Sequence, residues 1–192
     1  PICDVLLFML LAPLQFFNRY VGLKLSGERP RLIALYRHIF TLVLLLWLLL
    51  QLAPIGYGAN LGIHVLVYAA LTAISTLVLV RILYRIWRIE TINADVLFGI
   101  IICYATVIVI GFELHAINHQ LHPGAYNFLP EMKHHSQLLF LSMGSTTTLG
   151  GPITVNTTTA QLINYFQSYV SQVFLVVFVS RMIGLHTGSN EG

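Results

Sequence analysis

Residues 142–155 read SMGSTTTLGGPITV, a run of small hydroxyl-bearing residues and glycines set between two strongly apolar segments. The chemistry open to such a run belongs to its backbone. Small side chains leave carbonyl oxygens uncovered, and a row of carbonyls can replace the hydration shell of a cation. Irregular backbone survives at membrane depth only where protein buries it or where it lines a water-filled path. Two readings follow: an ordinary polar loop between two spans, or an ion filter. Histidine is the second group able to do chemistry. His115, His119, His122, His134 and His135, five of the eight in the chain, precede the run, with Glu113 and Glu131 nearby. His115 and His119 are spaced to share one helical face. Imidazoles with a carboxylate would hold zinc, and imidazole also titrates near neutral pH. No tight ligand motif is present, so a solvated outer loop with incidental histidines stands beside both readings.

The elements that must position these residues are membrane spans. The chain is 57% hydrophobic and 9% charged, against about a quarter charged residues in soluble domains, and its mean hydropathy is +0.80. The pI of about 9.1 does not point to nucleic acid, because the ten Lys and Arg residues do not gather on one soluble face. Cys3 and Cys103 both lie inside apolar runs and read as small buried hydrophobes, with no disulfide framework and no CxxC pair. A crossing helix needs about 20 apolar residues. Residues 32–53, 61–83, 94–114 and 160–185 meet this, and residues 2–21, carrying Asp4 and Pro13, either cross with a kink or lie along the interface. The expectation is an all-α membrane protein of four or five transmembrane helices. The short apolar piece 137–143 is too short to cross and suits a re-entrant half-helix leading into the glycines. The chain begins at Pro1 rather than Met, so the N-terminus is provisional, and one further span upstream would make six with the N-terminus inside.

Basic residues orient the spans. Arg19, Lys24, Arg29, Arg31 and Arg37 fall between the first two apolar segments, Arg81, Arg85 and Arg88 between the third and fourth, and Arg181 at the end of the last, leaving only Lys133 on the other side. The expected topology puts the turn 54–60 and the stretch 115–159 outside, and the C-terminus inside. Arg81, Arg85 and Arg88 share a helical face, but they lie at the end of a span, with Glu90 and Asn93 close behind. They read as snorkelling interfacial arginines rather than a voltage sensor. Asn156, Thr157 and Thr158 form a glycosylation sequon on the outer side, meaningful only in a eukaryotic secretory host.

Within the last span, Asn164, Gln167, Ser168, Ser171 and Gln172 recur at intervals of three and four as one polar stripe. The stripe is read as lining a cavity, with interhelical hydrogen bonding as the alternative. The same face continues as Leu175, Phe178, Val179 and Met182, an apolar constriction able to gate by dewetting.

The run LLFLSMGSTTTLGGPIT resembles the pore segment of bacterial potassium channels of the two-helix pore class, whose pattern is an apolar pore helix followed by TTLGYGDITP. From Ile153 the spacing of Ala160, Gln172, Leu175, Arg181, Gly184 and Leu185 is similar, without gaps, to an inner helix of the type ARSLAVLEALVGQLYLAVLVARLVGL. ETINADVLFGIIICYA and HPGAYNF resemble the outer helix and turret of small membrane-only members. The resemblance covers residues 88–185, about half the chain. It implies residues 1–93 as N-terminal membrane helices, 94–186 as a pore domain and 187–192 as a tail. It further implies a homotetramer, because one loop supplies a quarter of a carbonyl ring, in the plasma membrane (the inner membrane of a bacterium). Thr147, Thr148, Leu149, Gly150 and Gly151 would be the ion-binding filter, with the Thr148 hydroxyl an added ligand on the inner side and glycines supplying left-handed backbone at alternate residues.

The departures set limits on the likeness. Gly151 and Pro152 stand where the family has Tyr-Gly-Asp, so the aromatic cuff and the aspartate tie of the family filter are both missing. The expectation is a pore for monovalent cations, potassium or sodium, with weakened discrimination between them. Ser171 replaces a family glycine, so no glycine hinge is expected. The competing reading is a non-conducting membrane protein that keeps the pore architecture for signalling or assembly. An enzyme is not expected, since no motif such as HExxH is present, nor is a cofactor other than permeant cations, a soluble ligand domain or a nucleic-acid partner. Lipid and further copies of the chain are the expected partners.

Overall fold

The computed structural model describes residues 61–88, 94–130, 132, 134–151 and 153–188. The expectations for residues 2–21, 32–53 and 54–60 lie outside them. In chain order the elements are α1 (Leu61–Arg88), α2 (Ala94–Leu121), β1 (Tyr126–Asn127), α3 (His134–Thr147), β2 (Thr154–Val155) and α4 (Thr158–Gly188). Leu61–Arg88, Val96–Leu121 and Thr158–Gly184 are each long and apolar enough to cross a membrane. The protein is mostly helical, as an all-α membrane protein requires.

The chain divides into two compact units, Pro1–Ile74 and Ser75–Gly192, with the boundary inside α1. In the first unit, Val67, Tyr68 and Leu71 are buried, and the Thr72 hydroxyl donates to the Tyr68 carbonyl one turn back at 2.8 Å. In the second, Ile86, Val96, Cys103, Phe174 and Phe178 form an apolar core to which Leu79, Ile82, Leu83, Ile100 and Tyr104 add their partly buried sides. The most apolar stretch of α2 is 56% buried and that of α4 only 22%, so α2 is the more covered of the two within the single chain.

Each helix runs past its apolar segment for a local reason. The end of α1 reaches Arg88, where Arg88 lies 4.6 Å from the Tyr84 ring centroid, a cation–π contact that keeps the charged turn helical. α2 continues to Leu121 because its polar last turns find partners: His115 and Asn118 both reach the Tyr126 hydroxyl. α4 begins at Thr158 because Thr157 caps it, its Oγ1 accepting from Ala160 N at 3.4 Å.

α3 has 14 residues and is about 21 Å long, short of a hydrocarbon core of about 30 Å. It runs antiparallel to α2, since Ser142 Oγ donates to Ile108 O at 2.6 Å while the later Thr146 O accepts from the earlier Tyr104 OH at 2.8 Å. β1 and β2 pair antiparallel, Tyr126 opposite Val155 and Asn127 opposite Thr154, and Asn156 N extends the ribbon to Ala125 O at 2.9 Å. The segment leaving α2 is thereby tied to the segment entering α4, and α3 with its loop is an excursion that starts and ends at this ribbon.

Candidate functional site

The site is built on α3. Although short, it buries Gln137, Ser142, Ser145 and Thr146 together with Leu138, Leu139 and Leu141, and a buried polar atom must be hydrogen-bonded to be tolerated. Gln137 sets the helix start. Its Nε2 donates to Leu129 O at 2.8 Å and Met132 O at 2.7 Å, and its Oε1 accepts from Leu129 N at 2.8 Å. One amide thus closes the turn ahead of α3. Sequence reading missed Gln137, which belongs to no periodic pattern.

Past Thr147 the chain reverses. Thr148 has φ 61° and Gly150 φ 82°, so left-handed backbone does alternate, but at Thr148 and Gly150 rather than at the two glycines. Gly150 N donates to Gly144 O at 3.2 Å, and a Cβ on Gly144 would collide with the Gly150 carbonyl. A Cβ on Gly151 would stand 2.9 Å from Leu141 Cδ1 and 3.0 Å from Leu141 Cα. Residues 148–151 therefore lie back along the last turns of α3, at a separation only glycine permits. Left-handed backbone costs an ordinary residue about 1–2 kcal/mol, and for a β-branched threonine it marks a strained, imposed conformation. The carbonyls of Thr148, Leu149, Gly150 and Gly151 accept no hydrogen bond from the described residues, and the Leu149 side chain is 87% exposed. Thr147 is the last residue of α3, and its carbonyl accepts from Thr148 Oγ1 at 2.6 Å.

Much of the α4 stripe faces α3. Gln167 Nε2, with two protons to donate, lies among three acceptors, Ser142 O at 3.0 Å, Ser142 Oγ at 2.7 Å and Thr146 Oγ1 at 2.7 Å. Ser168 Oγ reaches Ser145 O at 2.9 Å, and Ser145 Oγ is in contact with the Asn164 side-chain amide. Ser171 is fully buried, its hydroxyl turned back to Gln167 O at 2.8 Å. Interhelical hydrogen bonding, the alternative reading of the stripe, describes Asn164, Gln167 and Ser168. Phe178 is likewise turned inward, its ring centroid 4.5 Å from that of Phe174. Gln172, Leu175 and Val179 are exposed and Met182 is partly so. The surface α4 leaves uncovered also carries Tyr165, Phe166 and Tyr169, which sequence reading did not single out. Equal spacing shows that residues share a face, but not what the face meets.

The outer histidines separate. The Tyr126 hydroxyl lies 2.8 Å from His115 Nδ1 and accepts from Asn118 Nδ2 at 3.1 Å. His115 Nε2, the other ring nitrogen, is buried without a hydrogen-bond partner among the described residues. The Gln167 side chain lies against His115, and its buried Oε1 likewise has no hydrogen-bond partner among the described residues. Gly111 makes the approach possible, since a Cβ there would strike the Gln167 amide. Glu113 on the same helix is buried and accepts from Ser75 Oγ at 3.4 Å. Burial pushes the Tyr126 phenol up to about 12, against the opposing hydrogen bond from Asn118. His134 stacks on Phe128 at 4.2 Å, and His119 meets Phe128 edge-on at 4.9 Å and His134 at 5.5 Å. His122 is exposed and His135 partly buried. Among the described residues no three His, Cys, Asp or Glu side chains converge to hold a metal. Four of the five histidines are divided between a tyrosine hydrogen bond, an aromatic stack and solvent, with Tyr126 and Phe128 standing among them.

No protein-family model matches the chain, and comparison with curated proteins and with solved structures gives no significant match.

Proposed function

We propose that the chain is the subunit of a homotetrameric channel for monovalent cations, with residues 148–151 supplying a quarter of the filter. The observation that carries this reading is the loop itself. Four successive carbonyls without a donor among the described residues lie beside a half-length helix, with left-handed backbone at Thr148 and Gly150. Backbone in that state at membrane depth needs water or a cation as its partner. Four copies around an axis would complete the ring of oxygens, and the likeness to bacterial potassium channels in residues 88–185 supports the same arrangement. The filter is short at its outer end, with Gly151 and Pro152 where the family has Tyr-Gly-Asp, so potassium is favoured over sodium only weakly.

Purified protein in planar bilayers tests the reading. Unitary currents carried by potassium and sodium are expected, with a bi-ionic reversal potential near zero. Silence across voltage and pH would favour the non-conducting alternative, and strongly potassium-selective current would refute weak discrimination.

A further inference from the structure

The arginine-bearing end of the second unit holds an open groove of about 530 Å³, lined by Trp87 of α1 and by Val176, Val177, Ser180, Arg181 and Gly184 of α4. Its polarity is graded along the helix. Val176 and Val177 lie deeper in the apolar span Thr158–Gly184, while Ser180 and Arg181 lie about 6–7 Å nearer its end. Val176 is 65% exposed and Trp87 54% exposed, so the apolar wall is uncovered among the described residues. Arg181 is held in place, its Cζ 4.7 Å from the Trp87 ring centroid and its Nη2 donating to the Trp87 carbonyl. Among the described side chains that line the groove, Arg181 is the sole charge. Arg88, over the Tyr84 ring, adds a second cation at the same end of α1.

We propose that this groove binds an anionic phospholipid, the phosphate held by Arg181 and the Ser180 hydroxyl and one acyl chain laid against Val176, Val177 and the Trp87 indole. The gradient is that of a lipid in its leaflet, with charge at the surface and hydrocarbon beneath. Basic pockets between membrane helices suit such headgroups. The guanidinium offers five N–H donors in a fixed fork, and its stacking on the indole fixes the direction of that fork. The inference stands whether or not the chain forms a pore.

In the full chain carrying Trp47→Phe, Trp87 is the one tryptophan left of two, and its fluorescence reports the groove. The protein is reconstituted in vesicles of equal parts phosphatidylcholine and phosphatidylglycerol, with bromine on the acyl chains of one lipid or the other as a short-range quencher. Brominated phosphatidylglycerol is expected to occupy the site about five-fold more than brominated phosphatidylcholine, the factor for one arginine near the surface. Arg181→Gln brings the ratio near one, and Arg181→Lys retains part of it. Gly184→Leu, at a position where a Cβ meets nothing within 4 Å, fills the groove with the charge intact and lowers quenching by both lipids, a readout that remains if Arg181→Gln does not fold. Equal quenching by the two lipids overturns the proposal. So does a preference that survives Arg181→Gln, the sign of diffuse attraction, or quenching by neither lipid, the sign of another protein surface over Trp87. Unchanged quenching in Gly184→Leu overturns it as well.

Discussion

α4 makes two interfaces of opposite chemistry. Toward the ribbon it meets α3 through Asn164, Gln167 and Ser168, in hydrogen bonds that reach backbone carbonyls and hydroxyls. Toward the arginine end it meets α1 and α2 through Phe174 and Phe178, against Ile86, Val96 and Cys103. Hydrogen bonds are directional and permit one register. Apolar contacts in a bilayer compete with lipid of equal apolarity and hold shape by packing alone. The hydrogen-bonded interface therefore specifies where α3 and its loop sit, and the apolar one tolerates repacking.

The sharpest way to break this contrast is Gly144→Val, which sets side-chain atoms where the Gly150 carbonyl lies. A loss of about 3 kcal/mol is expected, measured as a lower unfolding midpoint in detergent, while Gly111→Ala, which meets only the end of the Gln167 side chain, costs less. Next is the pair Gln167→Leu and Phe174→Leu. The first strands Ser142 and Thr146 and costs about 1–2 kcal/mol. The second keeps an apolar group in place and costs under about 1 kcal/mol. Equal losses would erase the distinction between the interfaces. Thr148→Gly relieves a left-handed threonine and raises stability by about 1 kcal/mol, and an unchanged midpoint would show that the loop relaxes without it.

The smallest effect is confined to alkaline solution. The neutral phenol of Tyr126 is favoured in the folded protein, its pKa raised from 10.0 to about 12 by burial. The stability it contributes is complete below pH 10 and is lost as pH rises from about 10 to 12. Tyr126→Phe removes that slope, and an alkaline unfolding profile identical in the two proteins would exclude Tyr126 as its source.

Some of this was legible in residue order. The short apolar piece before the glycines does form a half-helix, longer at both ends than residues 137–143 because Gln137 closes the preceding turn and Ser145 Oγ and Thr147 Oγ1 return to carbonyls one turn back, at 2.7 and 2.8 Å. The polar stripe of α4 does share a face, yet that face meets Ser142 and Thr146. Tyr126, which gathers His115 and Asn118, sits alone in a polar loop and gives no periodic signal. Gly111 and Gln167 are 56 residues apart, and nothing local in either announces that one makes room for the other.

Membrane character, the positions of the long helices and the glycine-rich reversal were determined by residue order alone, because transfer free energies add along a segment and backbone permissiveness belongs to the residue. The tertiary structure alone decided which side of α4 faces α3, which histidines meet tyrosine, and that Thr148 rather than Gly151 takes a left-handed conformation. Periodicity relates side chains to one another around a helix axis, and the rotation of that axis is settled only when its neighbour is in place.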